Sequence, residues 1–120
     1  MGLTNKQRGR QLFAGGVDAN QRVYAADGAI AANVSHTALL TKGTAGAYTL
    51  AAPARDGIRL TVISRTAAAH VVTATGLFDD GVTGGSKNAA TCAAFAGASA
   101  IYESHGGKWN TVSLKATTVA

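Results

Sequence analysis

The sequence predicts an all-β fold, an antiparallel β-sandwich or barrel-like meander with an extended N-terminal arm. In residues 58–64, apolar side chains alternate with Arg59 and Thr61, which is the period of a strand with one buried face. Similar apolar runs recur at spacings of about 8–12 residues with glycine-containing turns between them, a pattern typical of sandwiches and barrels. We therefore expect Arg59 and Thr61 to face water or a partner.

Turn residues divide the chain into a series of short predicted strands. Asp27–Gly28 separates the first two and favours a tight hairpin. Residues 47–75 hold three successive apolar runs, which we expect to pair as an antiparallel meander, and residues 76–88 form the longest predicted loop. The predicted strands are residues 22–26, 29–30, 38–41, 48–52, 58–64, 70–75, 89–95, 98–104 and 108–114.

The apolar content of the chain predicts a thin core. Alanine accounts for 26 of the 120 residues, whereas Leu, Ile, Val and Phe together number 24, which is at the edge of what a sizeable core needs. We therefore expect neighbouring subunits to complete part of the burial, in preference to a marginally stable monomer. Alanine permits close approach, and Trp109 fits either a core position or an interface anchor. The predicted subunit interface comprises Ala96, Ala98, Ala100 and Trp109.

The net charge of +5 is concentrated near the N-terminus. Within the first 22 residues, Lys6, Arg8, Arg10 and Arg22 are opposed only by Asp18, whereas seven basic residues face five acidic ones over the rest of the chain. A nucleic-acid-binding domain more often has a basic face with aromatic residues interleaved, and aromatic residues are only 6% of this chain. The charge pattern therefore favours a basic arm that is solvated or docks on a partner.

Residues 1–20 form the predicted arm, and residues 21–120 form the predicted β domain. The arm lacks strand alternation and contains an isolated apolar pair, Leu12 and Phe13. A disordered tail and a short helix over residues 4–14 are the alternatives. We favour docking onto another subunit, because an exposed apolar pair has no obvious use on a free tail. The predicted contact residues of the arm are Lys6, Arg8, Arg10, Leu12 and Phe13.

Candidate catalytic and metal-binding residues are few. His36, His70 and His105 lack the spacing of a metal site, and each lies beside a predicted turn or strand end, where a surface histidine is ordinary. Cys92 is the single cysteine and lies in an apolar segment, which predicts a small buried residue without a disulfide partner in the chain. Nucleotide-binding glycine patterns and a nucleophile elbow are also missing from the sequence. We therefore expect neither enzymatic activity nor a cofactor.

Five short strings resemble a group of small virion proteins of tailed bacteriophages. The resemblance covers roughly residues 28–115 and leaves the arm outside. The strings consist of strand and turn patterns and include no catalytic residue. They are residues 46–53, 56–64, 69–76, 93–98 and 107–109.

Members of this group are minor head proteins that decorate or cement the capsid, usually as trimers. The resemblance therefore implies a structural protein on the capsid exterior, with the major capsid protein and further copies of itself as partners and with no membrane partner. Similar strings in phage fibres make a tail-fibre or spike subdomain the first alternative. The second alternative is a basic nucleic-acid-binding module that uses Lys6, Arg8 and Arg10, and a steep dependence of binding on salt would distinguish it.

Deletion of residues 2–20 tests the docking arm. We expect the truncated protein to keep its β domain, because these residues precede the predicted strands, and to attach more weakly to its partner. Circular dichroism checks the fold, and co-sedimentation with phage capsids measures attachment. A truncated protein that attaches as strongly as the full chain would contradict the docking role of Leu12 and Phe13.

Overall fold

The computed structural model describes residues 20–80 and 86–120, so residues 1–19 of the predicted arm lie outside it. The described residues are all β, with 57% of them in strands and no helix among them. Ten strands are described: β1 (Gln21–Tyr24), β2 (Gly28–Ile30), β3 (His36–Leu40), β4 (Ala47–Leu50), β5 (Arg59–Ser64), β6 (Val71–Asp79), β7 (Lys87–Cys92), β8 (Ser99–His105), β9 (Lys108–Lys115) and β10 (Thr117–Val119).

The strands form one nearly closed, barrel-like sheet, which confirms the predicted fold class. Its strand order is β1-β3-β5-β8-β9-β6-β4-β2, and β7 pairs with both β6 and β10 beside this path. The two ends of the path are β1 and β2, so the barrel is open between them. The core lies between the half of the sheet that contains β1, β3, β5 and β8 and the half that contains β2, β4, β6 and β7.

The predicted meander over residues 47–75 is wrong in its pairing. β3 pairs with β1 and β5, and β4 pairs with β2 and β6, in every case parallel. Successive strands therefore alternate between the two halves of the sheet, and each strand pairs with the strand two positions along the chain. The antiparallel pairs are β6 with β7, β7 with β10, β5 with β8 and β8 with β9.

The length of each connection explains how parallel pairs form without helices. Parallel neighbours need a crossover of about a dozen residues, which is usually helical. Here the connection from β3 to β5 spans residues 41–58 and contains β4, and the connection from β4 to β6 spans residues 51–70 and contains β5. Each crossover is thus a strand of the opposite half, so the first six strands wind as three stacked coils.

The hairpin predicted at Asp27–Gly28 is also wrong, because β1 and β2 do not pair with each other. Asp27 has another role: its Oδ1 accepts hydrogen bonds from the Ala47 backbone N–H and from Lys42 Nζ, both at 2.9 Å. The Ala47 N–H and then the Lys42 ammonium lower the pKa of this exposed carboxyl group. Asp27 therefore fixes the connection between β3 and β4 and does not close a hairpin.

The predicted long loop at residues 76–88 is shorter in the structure. β6 continues to Asp79, and its pairing with β7 shifts register between Thr73 and Phe78. Gly76 lies within this irregular stretch with a φ of 72°, a conformation that glycine adopts without strain. The interruption in β6 is therefore a bulge, and not the end of the strand.

Large aromatic side chains fill the core. Phe78 and Tyr102 are in contact, with ring centroids 5.0 Å apart, and Trp109 is fully buried and donates its indole N–H to the Ala51 carbonyl at 3.0 Å. Alanine contributes little volume to the core, so these rings and the buried Leu, Ile and Val side chains fill the space between the two halves. The buried aromatic side chains are Tyr48, Phe78, Tyr102 and Trp109.

Tyr24 bridges the opening between the two end strands. It is the last residue of β1, and its hydroxyl oxygen accepts the N–H of Ala31, the residue after β2, at 3.2 Å. The Tyr24 carbonyl accepts the hydroxyl of the buried Tyr48 at 3.1 Å. Side-chain hydrogen bonds thus close the barrel where backbone pairing does not.

Gly46 tests how firmly Tyr48 is held. A Cβ at position 46 would lie 2.5 Å from the Tyr48 ring, which burial and its hydrogen bond to Tyr24 keep in place. We expect Gly46→Ala to lower the free energy of unfolding by about 1–3 kcal/mol, the usual cost of overpacking. The matched control is Gly43→Ala, since a Cβ there has no neighbour within 4 Å and should change stability by less than about 0.5 kcal/mol. Urea unfolding of both variants measures the difference, and equal midpoints would contradict a fixed Tyr48.

Candidate interaction surfaces

The chain itself buries three of the four residues predicted for the subunit interface. Trp109, Ala98 and Ala100 retain 0%, 1% and 3% exposure, because they belong to the interior of this domain. Ala96 lies in the exposed turn between β7 and β8 and is the member of the set that another subunit could touch.

One outer face of the barrel is aliphatic. Register places Val23, Leu39, Ile63 and Ser99 in one row across β1, β3, β5 and β8. A second row across the same strands contains Gln21, Thr37, Thr61 and Ile101. These residues alternate with the buried ones on their strands and are exposed or partly exposed, with Val23 at 62%. We call these eight residues the aliphatic face.

The other outer face consists almost entirely of alanine and threonine. Its first row contains Ala47, Val71, Thr91 and Thr118 across β4, β6, β7 and β10. Its second row contains Ala29, Thr49, Thr73 and Ala89 across β2, β4, β6 and β7. All eight are exposed or partly exposed, and we call them the alanine–threonine face.

Neither face has a charged side chain in these two rows. The rows are flanked by Arg59 and Glu103, which form an ion pair at 3.6 Å beyond the second row, by Lys115, which pairs with Ser99, and by the exposed Arg65, two residues after Ile63. Exposed sheet faces usually bear charged residues that prevent association. These four rows therefore lack the charges that usually oppose association of exposed sheets.

Free strand edges accompany these faces. β1 and β2 each pair on one side only, and β9 contacts β6 only through Trp109 and Asn110, which leaves residues 111–115 without a partner strand on that side within the described chain. Val112 and Leu114 on this stretch are 51% and 40% exposed. Unpaired edges with apolar side chains favour pairing with other chains.

Phe95 is the most exposed of the large apolar side chains described, at 66%. It was predicted to end a strand, but β7 stops at Cys92 and Phe95 lies in the following turn, where its N–H bonds the Ala93 carbonyl at 2.7 Å. An exposed ring at a turn is a further apolar contact point, at the same end of the barrel as the β9–β10 corner, because Ala93 also bonds the Ala116 carbonyl.

Two of the three histidines are buried, so the prediction that all three lie at the surface is wrong. His36 and His70 retain 4% and 0% exposure, whereas His105 is exposed and lies 3.6 Å from Asp56. His36 donates from Nδ1 to the Val34 carbonyl, so its Nε2 accepts the Tyr24 hydroxyl at 3.0 Å. Within the described chain, His, Cys, Asp and Glu side chains form no group of three or more that could hold a metal ion.

His70 holds two connections together through a defined tautomer. Its Nδ1 accepts the Gly46 backbone N–H at 2.9 Å, so the proton of the neutral ring is on Nε2, which donates to Thr66 Oγ1 at 2.8 Å. Thr66 Oγ1 in turn donates to the Lys42 carbonyl at 2.8 Å. Burial, and then the positive charge of Lys42, lower the pKa of His70. Its partners are 4 to 28 residues away in sequence, which is why sequence patterns did not reveal the arrangement.

Cys92 is buried as predicted, with 3% exposure, and burial raises the pKa of its thiol. A buried thiol with a raised pKa is a poor nucleophile.

Residues 20–80 and 86–120 include no helix with the length and apolar character needed to cross a membrane.

A shallow polar groove lies at the start of β1. It is lined by Asn20, Ser35, His36 and Thr37 together with Arg59 and Thr61 at the margin of the aliphatic face. The five predicted contact residues of the arm all precede Asn20 and lie outside the described residues. Asn20, the first described residue, therefore lies beside the aliphatic face.

No protein-family model and no curated protein matches the chain, so these comparisons assign it to no family. The likeness to phage virion proteins thus remains a prediction from the sequence.

The buried His70 predicts a loss of stability in mild acid. Because its pKa is lowered in the folded state, the unfolded chain binds the proton more readily below about pH 6.5, so the free energy of unfolding should fall as pH drops from 7.5 to 5. The slope reaches at most about 1.4 kcal/mol per pH unit for one proton. His70→Gln should be less stable at pH 7.5 but should lose this slope, and the exposed control His105→Gln should retain it. Urea midpoints measured across this pH range give the slope for each variant. An unchanged slope in His70→Gln would rule out His70 as the cause.

Proposed function

We propose that this chain is a structural virion protein of a tailed bacteriophage that decorates the capsid exterior and stabilises the shell as a homotrimeric cement protein. The observation that carries the proposal is the pair of uncharged outer faces, which leave a small barrel with little to prevent association. The exposed side chains of Val23, Phe95, Val112 and Leu114 add to the apolar surface. The resemblance of residues 28–115 to phage virion proteins supplies the setting.

A cement protein acts without chemistry. Anything that binds the assembled shell but not its separated parts stabilises the shell by mass action. A trimer matches the local three-fold positions at which capsid subunits meet, and closed symmetry is usual for homo-oligomers. In this proposal, Leu12 and Phe13 anchor the arm on the major capsid protein, and Lys6, Arg8 and Arg10 meet acidic groups there.

A fibre or spike subdomain is the second candidate, and the winding of the first six strands favours it. Stacked parallel coils can be extended by further coils at an open end, as in solenoid proteins. β1 has such an open edge. A nucleic-acid-binding module has less support, because the seven basic residues beyond residue 22 face five acidic ones.

Capsid stability tests the cement function. We expect virions to contain hundreds of copies of this chain by quantitative mass spectrometry, since decoration repeats across the shell, whereas a fibre would contribute a handful. Capsids stripped of the protein should rupture at a lower temperature than decorated ones in a thermal-release assay. Adding back the purified full chain is the control and should restore the higher temperature. Equal rupture temperatures for stripped and decorated capsids would overturn the proposal.

A further inference from the structure

We infer that residues 43–46, in the connection between β3 and β4, form a pH-sensitive switch that detaches from β6 in mild acid while the barrel stays folded. We call these residues the 43–46 segment. The inference does not depend on the proposed function. It also goes beyond the loss of global stability expected of His70, because it places the first response to acid in one short connection.

Gly46 attaches the 43–46 segment to the start of β6. Its N–H donates to His70 Nδ1, and its carbonyl accepts the Val71 N–H, both at 2.9 Å. Residues 43–45 are exposed, whereas Gly46 is buried. Attachment of the segment therefore depends on the acceptor that the neutral His70 ring offers to Gly46.

Protonation of His70 removes that acceptor. The neutral ring accepts the Gly46 N–H at Nδ1 and donates from Nε2 to Thr66 Oγ1. A protonated imidazole bears a hydrogen on each nitrogen, so it can only donate. The new Nδ1–H would face the Gly46 N–H across 2.9 Å, and one of the two donors must move. The bond to Thr66 persists, because Nε2 donates in both forms.

The segment moves, because His70 is fixed at both its ring and its backbone. The ring keeps its bond to Thr66. The His70 N–H donates to the Ala68 carbonyl at 3.0 Å, and the His70 carbonyl accepts the Cys92 N–H at 2.9 Å. Gly46, by contrast, ends an exposed connection and has the conformational freedom of glycine. Its displacement relieves the conflict without disturbing the pairing of β6.

The charged group that acts on His70 is Lys42, at the end of β3. Burial is the larger cause that lowers the pKa of His70, and the Lys42 ammonium lowers it further. Lys42 is itself bonded to Asp27 at 2.9 Å, which offsets part of its charge. Arg65 precedes Thr66 and is exposed to solvent. Removal of the Lys42 charge should therefore let His70 take up its proton at a higher pH.

The other titratable groups on the strands beside His70 are Tyr48 and Cys92. The Tyr48 ring lies edge-on to the imidazole, with centroids 5.8 Å apart, and the Cys92 N–H bonds the His70 carbonyl. Burial raises the pKa of the Tyr48 hydroxyl and of the Cys92 thiol, so both stay neutral in mild acid. His70 is therefore the group of this set that changes charge as pH falls from 7.5 to 5.5.

The pKa of His70 gives the direction of the switch. Release of the segment exposes the ring, so its pKa returns toward about 6.5, whereas the attached segment keeps the pKa lower. Protons therefore favour the released form below about pH 6.5, and the ratio of released to attached forms rises by at most about tenfold per pH unit. Gly46 packs against the buried Tyr48 ring, so release in acid also uncovers this aromatic surface.

Amide hydrogen exchange of the full chain, followed by NMR from pH 7.5 to 5.5, tests the inference. Protection factors correct for the intrinsic pH dependence of exchange. Below about pH 6.5, those of the Gly46 and Val71 amides should fall by up to about tenfold per pH unit. Low concentrations of urea should leave both unchanged, because local release exposes little surface. The reference amides are Ser64 and Ser104, which bond across the barrel, and they should stay more protected and respond to urea.

Three variants identify the titrating group. In His70→Gln the protection of Gly46 should lose its pH dependence. In Lys42→Met the loss of protection should begin at a higher pH than in the full chain. The matched control is Lys108→Met, which removes the same charge beside Trp109, a residue that pairs near the far end of β6, and should not shift the transition.

The inference is overturned if Gly46 exchanges as slowly as Ser64 at every pH, since the segment would then be released only when the whole barrel unfolds. It is also overturned if the protection of Gly46 does not fall below pH 6.5, or if His70→Gln keeps the pH dependence of the full chain. Should His70→Gln fail to fold, Lys42→Met serves instead, and a transition at the same pH as in Lys108→Met would overturn the inference.

Discussion

The alternation of successive strands between the two halves of the barrel is the constraint on which the rest of the structure depends. Because each of the first six strands pairs with the strand two along, no pair can be closed by a tight turn, and connections must cross the core at its ends. The path consequently begins and ends at β1 and β2, which face each other unpaired. Tyr24 compensates by bonding the backbone at Ala31 and the hydroxyl of Tyr48.

The same winding separates polar functions from the sheet faces. Charged and hydrogen-bonding side chains serve the connections: Asp27 binds Lys42 and Ala47, and buried Ser104 accepts the Ile58 N–H at 2.8 Å while donating to the Arg55 carbonyl at 2.7 Å. The connections lie at the ends of the barrel, so polar groups gather there. The central rows of the two broad sides are left to uncharged side chains, most of them aliphatic, alanine or threonine.

Local pattern predicted the strands but could not predict their partners. Alternation in residues 58–64 correctly placed Arg59 at the surface and Leu60 in the core, because a period of two depends only on which face is buried. Pairing depends on contacts between distant residues, and Asp27–Gly28 has the composition of a hairpin although its carboxylate is used elsewhere. The two outer faces could not be predicted from the sequence either. Each row takes one residue from each of four strands, so it is defined only once the register is known.

Each outer face is smaller than a stable protein–protein interface. Each face is four strands wide and about five residues long. With strands about 4.8 Å apart and a rise of about 3.3 Å per residue, its projected area is roughly 300 Å². Stable interfaces bury roughly 800 Å² on each partner, so one face supplies less than half of that area. In the proposed assembly, the exposed Phe95 turn and the predicted arm, whose residues precede Asn20, would supply further contact. Under the proposed function, a face of this size makes association depend on these further contacts, and binding at several points at once would strengthen attachment to a shell.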